Sequence, residues 1–383
     1  MSKTEKSPIE KYLENLPKLN LKTTLNIATL FSGIGAVEQA FQRMKIKTNI
    51  VFACDNNNFV KQSYLSNYEI SNENWYSDII DLDANKYKNN VDILVGGSPC
   101  QSFSSVGKRK GLEDDRGNLI YEFIRIVHES QPQVFIFENV KGLITHNGGK
   151  TWKDVILPEF QKLGYHIHHQ ILNSKNFGIP QHRDRLFVVG FKIDVQFEFP
   201  TNVPLELKVH DLLEDNADEK YYLGKKGFEF VFNVNKKRGS STQVNGEIAL
   251  CQRANQQFNW HGDFVLDYGP VNDKYFLSDA VKNYVLAVGT KGYKTRIETN
   301  LEVARPLLAS MASMHRAGVD NYFMYGPRIR KLTPKECLRL MGFSDNFKIV
   351  VSDTQAYKQA GNSMVVDVLM HLFNSIILAM KWN

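Results

Sequence analysis

The sequence predicts an α/β fold, in which helices cover both faces of a mostly parallel β-sheet. Short, almost continuously apolar runs alternate along the first half of the chain with segments whose apolar residues recur at helical spacing. Strands that are buried on both faces have such continuous runs, and this burial is typical of parallel sheets. The chain has 383 residues, 43% of them hydrophobic, and is long enough to bury a core of this kind.

The predicted elements follow one another in a regular order. Five apolar runs are predicted to be strands, at residues 25–30, 49–55, 91–97, 133–139 and 185–191. Helices are expected to start near Ala36, to follow the second strand around Tyr64, and to cover 118–127, 332–342 and 364–381. The helix at 332–342 has the clearest start: Thr333 suits the N-cap, Pro334 the first turn, and Glu336 completes a capping box.

The character of the sequence changes after the fifth strand. Residues 200–325 contain few periodic helices and many Gly, Asn and aromatic residues, which predicts a second, smaller and irregular domain. We assign 24–199, completed by 354–383, to a catalytic and cofactor-binding domain. The second domain then covers 200–353, including the helix at 332–342, and residues 1–23 form an N-terminal extension.

The bulk composition limits the partner and the compartment. A net charge of +6 and a pI near 8.9 favour an anionic partner, although a mildly basic enzyme fits the charge almost as well. The charged N-terminus lacks the apolar core of a signal peptide, and no apolar run approaches bilayer length, so we expect a cytoplasmic protein without a membrane contact. Four scattered cysteines argue against a disulfide framework and a zinc site.

Residues suited to a nucleoside cofactor follow the predicted strands. In an open parallel sheet, ligands bind beyond the carboxyl ends of the strands. Gly33 and Gly35, in the turn FSGIG, permit a close backbone approach, although an ordinary tight turn is an equally good interpretation of that pattern. Asp55 ends the second strand, where an acid can bind ribose hydroxyls. Asp78 follows a further short strand, where it can accept from an adenine amino group.

Glu38 decides which class of cofactor is expected. It occupies the position at which a pyrophosphate-binding turn has its third glycine. A negative side chain there is a poor host for a pyrophosphate. The pattern therefore favours an adenosine cofactor without phosphates, S-adenosylmethionine, over a nicotinamide dinucleotide.

A thiol follows the third strand in the segment GGSPCQSFS, residues 96–104. Pro99 and the glycine pair before it predict a rigid loop at the edge of the sheet where the cofactor is expected. This position favours a nucleophilic Cys100 over the alternative, a small buried side chain. The segment 102–118 is rich in glycine and charge, and it is predicted to be a mobile lid rather than a plain surface loop.

An acid and two arginines are predicted to lie at the same edge of the sheet. Glu138 ends the fourth strand, directly after a run of buried residues. Before the fifth strand, alternating residues put Gln181, Arg183 and Arg185 on one face. The alternative to a catalytic role is helix capping for Glu138 and structural salt bridges for the two arginines.

Together these motifs resemble the cytosine carbon-5 DNA methyltransferase family of the bacterial restriction–modification type. FSGIG, GGSPCQSFS, ENV, QHRDR, RKLTPKECLRLMGF and GNS occur in the family's order, and the match covers about 24–191 and 328–383. The resemblance implies the Rossmann-like fold of S-adenosylmethionine-dependent methyltransferases. It also implies that the irregular region is a target-recognition domain.

The resemblance further implies the chemistry of the site. The Cys100 thiolate adds to carbon 6 of a cytosine that is flipped out of duplex DNA, and Glu138 holds or protonates ring nitrogen 3. Arg185, and Arg183 through it, would bind the base oxygen and orient Glu138. The methyl group passes from S-adenosylmethionine to carbon 5, and no metal is required.

The family's cofactor-binding roles carry over to ten positions: Phe31, Gly33, Gly35, Asp55, Asn56, Asp78, Ile79, Pro99, Leu119 and Asn362. Two positions depart from the pattern. Ala36 replaces a glycine that is frequent in the first motif, and Asp55 replaces a longer Glu. The shorter side chain keeps the charge but reduces the reach toward the ribose.

The DNA-binding residues implied by the resemblance lie in the lid, which the resemblance extends to residues 101–118, and in the variable region. They are Gln101 and Ser104 in the lid, and Arg253 and Arg316 in the target-recognition domain. Further basic and aromatic residues of the variable region are the KKR run at 236–238, Trp260, His261, Lys291, Lys294, Arg296 and His315. For several of them a solvated basic surface is the simpler interpretation.

Two other functions fit the same motifs. A tRNA cytosine-5 methyltransferase would share the catalytic residues, and a catalytically idle homologue would only bind DNA. The sizeable variable region favours duplex DNA, and the presence of Cys100, Glu138, Arg183 and Arg185 argues against an idle protein. We therefore expect a monomeric enzyme of the bacterial cytoplasm, with a cognate restriction endonuclease as a functional partner only.

Overall fold

The computed structural model describes residues 24–99, 119–214, 217–231, 242–254, 260–267, 277–286 and 328–382. Several predicted features lie outside these residues: the extension 1–23, Cys100, the lid with Gln101 and Ser104, and Arg316.

A seven-stranded sheet forms the centre of the molecule, in the order β3-β2-β1-β4-β5-β7-β6. The strands are β1 (Leu25–Leu30), β2 (Thr48–Cys54), β3 (Trp75–Tyr76), β4 (Ile93–Gly96), β5 (Val134–Val140), β6 (His166–Asn173) and β7 (Asp184–Phe191). The pairs among β1 to β5 are parallel, whereas β7 runs antiparallel to both β5 and β6. The chain reverses direction across the sheet between β1 and β4, which is where open α/β sheets bind their ligands.

The prediction of a mostly parallel sheet is confirmed, but it missed one strand. The edge strand β6, HIHHQILN, is rich in histidine, and most of its side chains are at least partly exposed. An edge strand pairs on one side only and need not be apolar, so its pattern differs from the buried runs that identified the other strands.

The helices alternate with the strands and continue after them. The α-helices are α1 (Ala36–Met44), α2 (Asn58–Asn67), α3 (Leu119–Ser130), α4 (Gly142–Thr145), α5 (Leu157–Gln161), α6 (Lys225–Glu229), α7 (Asp279–Leu286), α8 (Pro334–Leu340), α9 (Asp353–Asn362) and α10 (Val366–Ala379). The capping box predicted for α8 is present. The Glu336 amide donates to Thr333 Oγ1 at 3.2 Å, and the Thr333 amide donates to Glu336 Oε2 at 2.8 Å.

Two hydrophobic clusters, one on each face, hold the helices on the sheet. On one face α1, α8 and α10 share a cluster with Ile27 and Ile136, and the rings of Phe41 and Phe373 stack at 4.3 Å. On the other face α3 and α5 pack on the side chains that alternate with these, such as Phe137. Burial on both faces explains why the central strands are continuously apolar.

The C-terminal apolar stretch corrects one expectation. Asp353–Ala379 is long and apolar enough, by length and composition, to cross a membrane, although no run of that length was expected. In the structure this stretch is broken between α9 and α10, and 61% of its apolar window is buried inside the molecule. Helix α10 contributes its buried side chains to the core around Phe373.

A smaller sheet belongs to the region predicted to be irregular. Its strands are β8 (Thr242–Val244), β9 (Gly262–Asp267) and β10 (Arg328–Lys331), in the order β10-β9-β8. Helix α8, which we assigned to the second domain, shares the cluster that also contains α1 and α10. The domain boundaries proposed from the sequence stay a prediction.

A buried ion pair joins the first helix to the last. Arg43 of α1 donates to both carboxylate oxygens of Asp367 of α10, at 2.8 and 2.9 Å, and to the Gly342 carbonyl at 2.6 Å. Asp367 is fully buried. Gly342 has a φ of +83°, and a Cβ there would collide with the Asp367 carboxylate, so only glycine is accommodated.

We expect Asp367→Ala to lower the free energy of unfolding by about 3–5 kcal/mol, because it leaves the Arg43 charge buried without its carboxylate. Urea denaturation measures the loss. Asp345→Ala is the control, since Asp345 pairs with Arg339 in an exposed position and should cost no more than about 1 kcal/mol. If both variants lost the same free energy of unfolding, the buried pair would contribute no more to stability than the exposed one, which would contradict this prediction.

Candidate active site

A cavity of about 440 Å³ opens at the carboxyl ends of β1, β2, β4 and β5. Its volume lies within the range of small-molecule and cofactor sites, roughly 300–1,000 Å³. Most of the predicted site residues line it: Phe31, Gly33, Asp55, Asn56, Asp78, Ile79, Pro99, Leu119, Glu138, Arg183, Arg185 and Asn362. The fold therefore brings residues from the whole length of the chain to one cleft.

The turn after β1 forms one wall of the cavity. Phe31 and Gly33 both have positive φ values, +52° and +55°, and positive φ is uncommon for a phenylalanine. Asp55 Oδ2 accepts a hydrogen bond from the Gly33 amide at 3.0 Å, and its Oδ1 accepts one from the Asn57 amide at 3.0 Å. Burial raises the pKa of Asp55, although these two bonds oppose the change.

Gly35 is the predicted cofactor residue that does not line the cavity. It is the N-cap of α1, with a φ of +81°, and a Cβ there would overlap the Tyr68 ring. Its carbonyl accepts from the Tyr68 hydroxyl at 2.9 Å. In the structure Gly35 therefore allows the turn to pack against Tyr68. Of the two glycines in this turn, Gly33 is the one that lines the cavity.

An acid and an arginine lie together in the other half of the cavity. Arg185 Nε lies 3.0 Å from Glu138 Oε1, and both side chains are largely buried. Burial raises the pKa of Glu138 above its ordinary value, against the lowering effect of Arg185 and Arg183. Gly97 makes room for this carboxyl, since a Cβ there would lie 2.8 Å from Glu138 Oε2.

Arg183 is buried and bonds to the backbone rather than to Glu138. Its guanidinium donates to the carbonyls of Gln252, Gly361 and Ser363 at 3.0, 3.1 and 2.8 Å. Burial and the neighbouring charge of Arg185 lower its pKa to about 10. Arg183 thus holds two distant chain segments at the start of β7, and its effect on Glu138 is electrostatic.

Gln181 reinforces the same junction. Its Nε2 donates to the Leu340 carbonyl at 2.9 Å, and its Oε1 accepts from the Gln252 amide at 3.0 Å. Nearby, the Leu250 amide donates to Asp263 of β9, so the smaller sheet is bonded to the segment that Gln181 and Arg183 hold.

The sequence did not predict the neighbours of Arg183. Cys251 Sγ lies 3.6 Å from Arg183 Nη1. Burial acts to raise the pKa of this thiol, but the charges of Arg183 and Arg185 outweigh it, and the pKa lies below its ordinary value. Gly361 packs so tightly that a Cβ would lie 2.4–2.8 Å from the backbone of Arg253 and Ala254. Sequence patterns hold no signal for such contacts between remote segments.

Two polar side chains position the strand end that leads to Cys100. Asn139 Nδ2 donates to the Ser98 hydroxyl at 3.3 Å, and Asn139 Oδ1 accepts from the Val140 amide at 2.9 Å. Both Asn139 and Ser98 are buried. In the sequence, only their positions in the GGSPCQSFS and ENV motifs indicated that these two residues belong to the site.

Arg253, predicted to bind DNA, is described but does not line the cavity. Its side chain is exposed, and its backbone lies against Gly361. Trp260, also from the variable region, is partly exposed and lies 5.4 Å from the Phe230 ring.

Comparison with known proteins gives the family of this chain. Residues 25–378 match the C-5 cytosine-specific DNA methylase family. The chain belongs to this family. The enzyme is 31% identical to the Type II methyltransferase M1.ScrFI of Lactococcus lactis subsp. cremoris, over 96% of this chain and 82% of that protein. It is 33% identical to the Type II methyltransferase M.NlaX of Neisseria lactamica, over 90% and 93%.

A solved structure confirms the architecture. The methyltransferase EhMeth of Entamoeba histolytica superposes with a TM-score of 0.67 at 18% identity, covering 94% of this chain and 100% of that one. This similarity confirms the Rossmann-like fold. The family match confirms the class of enzyme, a DNA (cytosine-5) methyltransferase from a family of S-adenosylmethionine-dependent enzymes. The tRNA and idle-homologue alternatives are not favoured, since the matching family is one of DNA methylases.

We expect Gly361→Ala to reduce methyl transfer strongly, because a Cβ would push the 251–254 backbone away from Arg183. Overpacking of this kind costs about 1–3 kcal/mol. Hydrogen exchange should increase in the 248–254 segment, and initial rates should fall in parallel. Gly224→Ala is the control, since a Cβ at Gly224 meets nothing within 4 Å. Normal exchange and normal rates in Gly361→Ala would contradict the role of this contact.

Proposed function

We propose that this enzyme transfers a methyl group from S-adenosylmethionine to carbon 5 of a specific cytosine in duplex DNA, through a covalent adduct with Cys100. The observation that carries the proposal is the pairing of Glu138 with Arg185 inside the same cavity as Asp55 and the turn after β1. One half of the cavity suits an adenosine cofactor, and the other half suits a flat, hydrogen-bonding base.

The residues of the first half fit S-adenosylmethionine. Asp55 is kept in place by two backbone amides, so its carboxylate is positioned for ribose hydroxyls. Phe31, Ile79, Pro99 and Leu119 supply apolar walls for a purine ring, and Asp78 offers an acceptor. The bound cofactor supplies an electrophilic methyl group.

In the proposed first step, the Cys100 thiolate forms a bond to carbon 6 of the cytosine. The electron pair of the carbon 5–carbon 6 double bond then moves into the ring, and Glu138 donates a proton to nitrogen 3 as that charge develops. The raised pKa of Glu138 supports this role, because it keeps a larger share of the carboxyl protonated near neutral pH. Arg185 keeps the carboxyl oriented, and its guanidinium can donate a hydrogen bond to the base oxygen.

In the second half of the reaction, carbon 5 takes up the methyl group. A base then removes the carbon 5 proton, the electron pair restores the double bond, and Cys100 leaves as the thiolate. Glu138 recovers its proton from nitrogen 3. The bond between Cys100 and carbon 6 forms and then breaks, so the enzyme is unchanged after one turnover.

Access to the target base requires that the cytosine leave the DNA stack. We propose that the lid, residues 101–118, closes over the flipped base and that residues 200–353 form the target-recognition domain. The proposed DNA contacts are Gln101, Ser104, Arg253 and Arg316. The net charge of +6 supports a polyanionic substrate.

The biological setting is also part of the proposal. The similarity to Type II methyltransferases supports a modification enzyme whose functional partner is a cognate restriction endonuclease. We propose that it acts as a monomer in the bacterial cytoplasm, without a metal.

The decisive experiment is a mechanism-based trap. Duplex DNA that carries 5-fluorocytosine at the target site cannot lose a carbon 5 proton, so the bond to Cys100 should persist. With S-adenosylmethionine present, the parent should give a denaturation-resistant adduct, and Cys100→Ser should give none while still binding DNA. An adduct with Cys100→Ser would contradict the assignment of the nucleophile. Mapping of 5-methylcytosine in a methylation-free host identifies the target sequence beforehand.

The titration of Glu138 gives a second test. We expect Glu138→Gln to slow methyl transfer by about a hundredfold or more, because the proton donor is lost. A carboxyl with a raised folded pKa stabilises the fold fully below its unfolded pKa and loses that contribution as pH rises through the folded pKa. The melting temperature of the parent relative to Glu138→Gln should therefore fall as the pH is raised above the ordinary carboxyl pKa of 4.5.

Glu69→Gln is the matched control for this series, since Glu69 is exposed. Its melting temperature should follow that of the parent over the same pH range, and its rate should be normal. A Glu138→Gln variant with a near-normal rate would show that another group protonates the base. A pH-independent difference in melting temperature would contradict the raised pKa.

A further inference from the structure

Helix α9 presents one face to the cavity. Gln355, Lys358, Gln359 and Asn362 recur at helical spacing, and all four line it. Gln359 fixes the helix against α2, since it accepts from the Ser63 hydroxyl and donates to the Phe59 carbonyl, each at 3.0 Å. Lys358 is therefore carried on a firmly held helix, one turn before Asn362.

Lys358 is a cation without a partner among the described residues. The other two cations among the described residues that line the cavity are engaged: Arg183 by backbone carbonyls and Arg185 by Glu138. Lys358 is half-buried, and no hydrogen bond or ion pair joins it to another described side chain or carbonyl. A half-buried ammonium in a ligand cavity is poised for an anionic group of a ligand.

The nearby start of α1 is less suited to that anionic group than an ordinary helix start. Glu38 lies in its first turn and is buried, and its Oε1 accepts from the hydroxyls of Tyr64 at 2.6 Å and Thr29 at 3.2 Å. This carboxyl already occupies the positive end of the helix dipole. A second carboxylate beside it needs a cation from another element.

We propose that the ammonium group of Lys358 pairs with the carboxylate of the methionine part of S-adenosylmethionine. This inference rests on the proposed function. The cofactor ends in an amino acid whose carboxylate is its only negative charge. Among the described residues that line the cavity, Lys358 is the cation that neither an acid nor a carbonyl engages. Asn362, on the same helix face, supplies an amide to the same part of the cavity.

Calorimetry with two products of the cofactor tests the pairing. S-adenosylhomocysteine keeps the amino acid, whereas 5′-methylthioadenosine lacks it but keeps the adenosine. Lys358→Met retains the apolar stem of the side chain. It should lower the affinity for S-adenosylhomocysteine about tenfold or more, as expected for a lost charged hydrogen bond. Its affinity for 5′-methylthioadenosine should equal that of the parent, and Lys358→Arg should recover most of the loss.

Lys153→Met is the matched control, since Lys153 is exposed and does not line the cavity. Equal losses for both ligands in Lys358→Met would indicate a purely structural role and would overturn the proposal. Unchanged affinity for S-adenosylhomocysteine, with a weaker salt dependence of DNA binding, would assign Lys358 to a phosphate instead. A parent enzyme that binds neither ligand would contradict the proposed cofactor site itself, which separates the two failures.

Discussion

The active site depends on the burial of one guanidinium. Arg183 has almost no contact with solvent, and a buried charge needs hydrogen-bond acceptors that offset its lost hydration. Its acceptors are carbonyls of residue 252 and of residues 361 and 363, from segments that are remote from it in the chain. Burying Arg183 therefore draws the variable region and the turn after α9 to the start of β7. The cavity takes its shape from this junction.

The chemistry of Glu138 follows from a balance of two opposed effects at the same place. Desolvation disfavours the charged carboxylate, whereas Arg185 and Arg183 favour it, and desolvation is the stronger effect. Because Arg183 is engaged by carbonyls, Arg185 is the only one of the described residues that bonds directly to the carboxyl. The acid thus stays oriented without being held fully ionised. The same two charges lower the pKa of the Cys251 thiol against the opposing effect of its burial.

Local sequence patterns predicted most strands of the large sheet. The apolar runs predicted five strands of the large sheet within one or two residues, and the Thr333 capping box predicted the start of α8. The histidine-rich edge strand β6 was missed because an edge position does not demand apolar residues. The apolar length of Asp353–Ala379 was underestimated, and only the structure shows that this stretch is broken between α9 and α10 and packed in the core.

The sequence by itself determined the family, the order of the motifs and which residue types meet at the ends of the strands. These follow from local spacing and from the parallel sheet that the apolar runs require. Only the tertiary structure decided that Arg183 bonds to backbone carbonyls, that Gly35 packs on Tyr68, and that Lys358 lines the cofactor cavity. The physical reason is that hydrogen-bond partners and desolvation depend on atoms from remote segments, which no local pattern records.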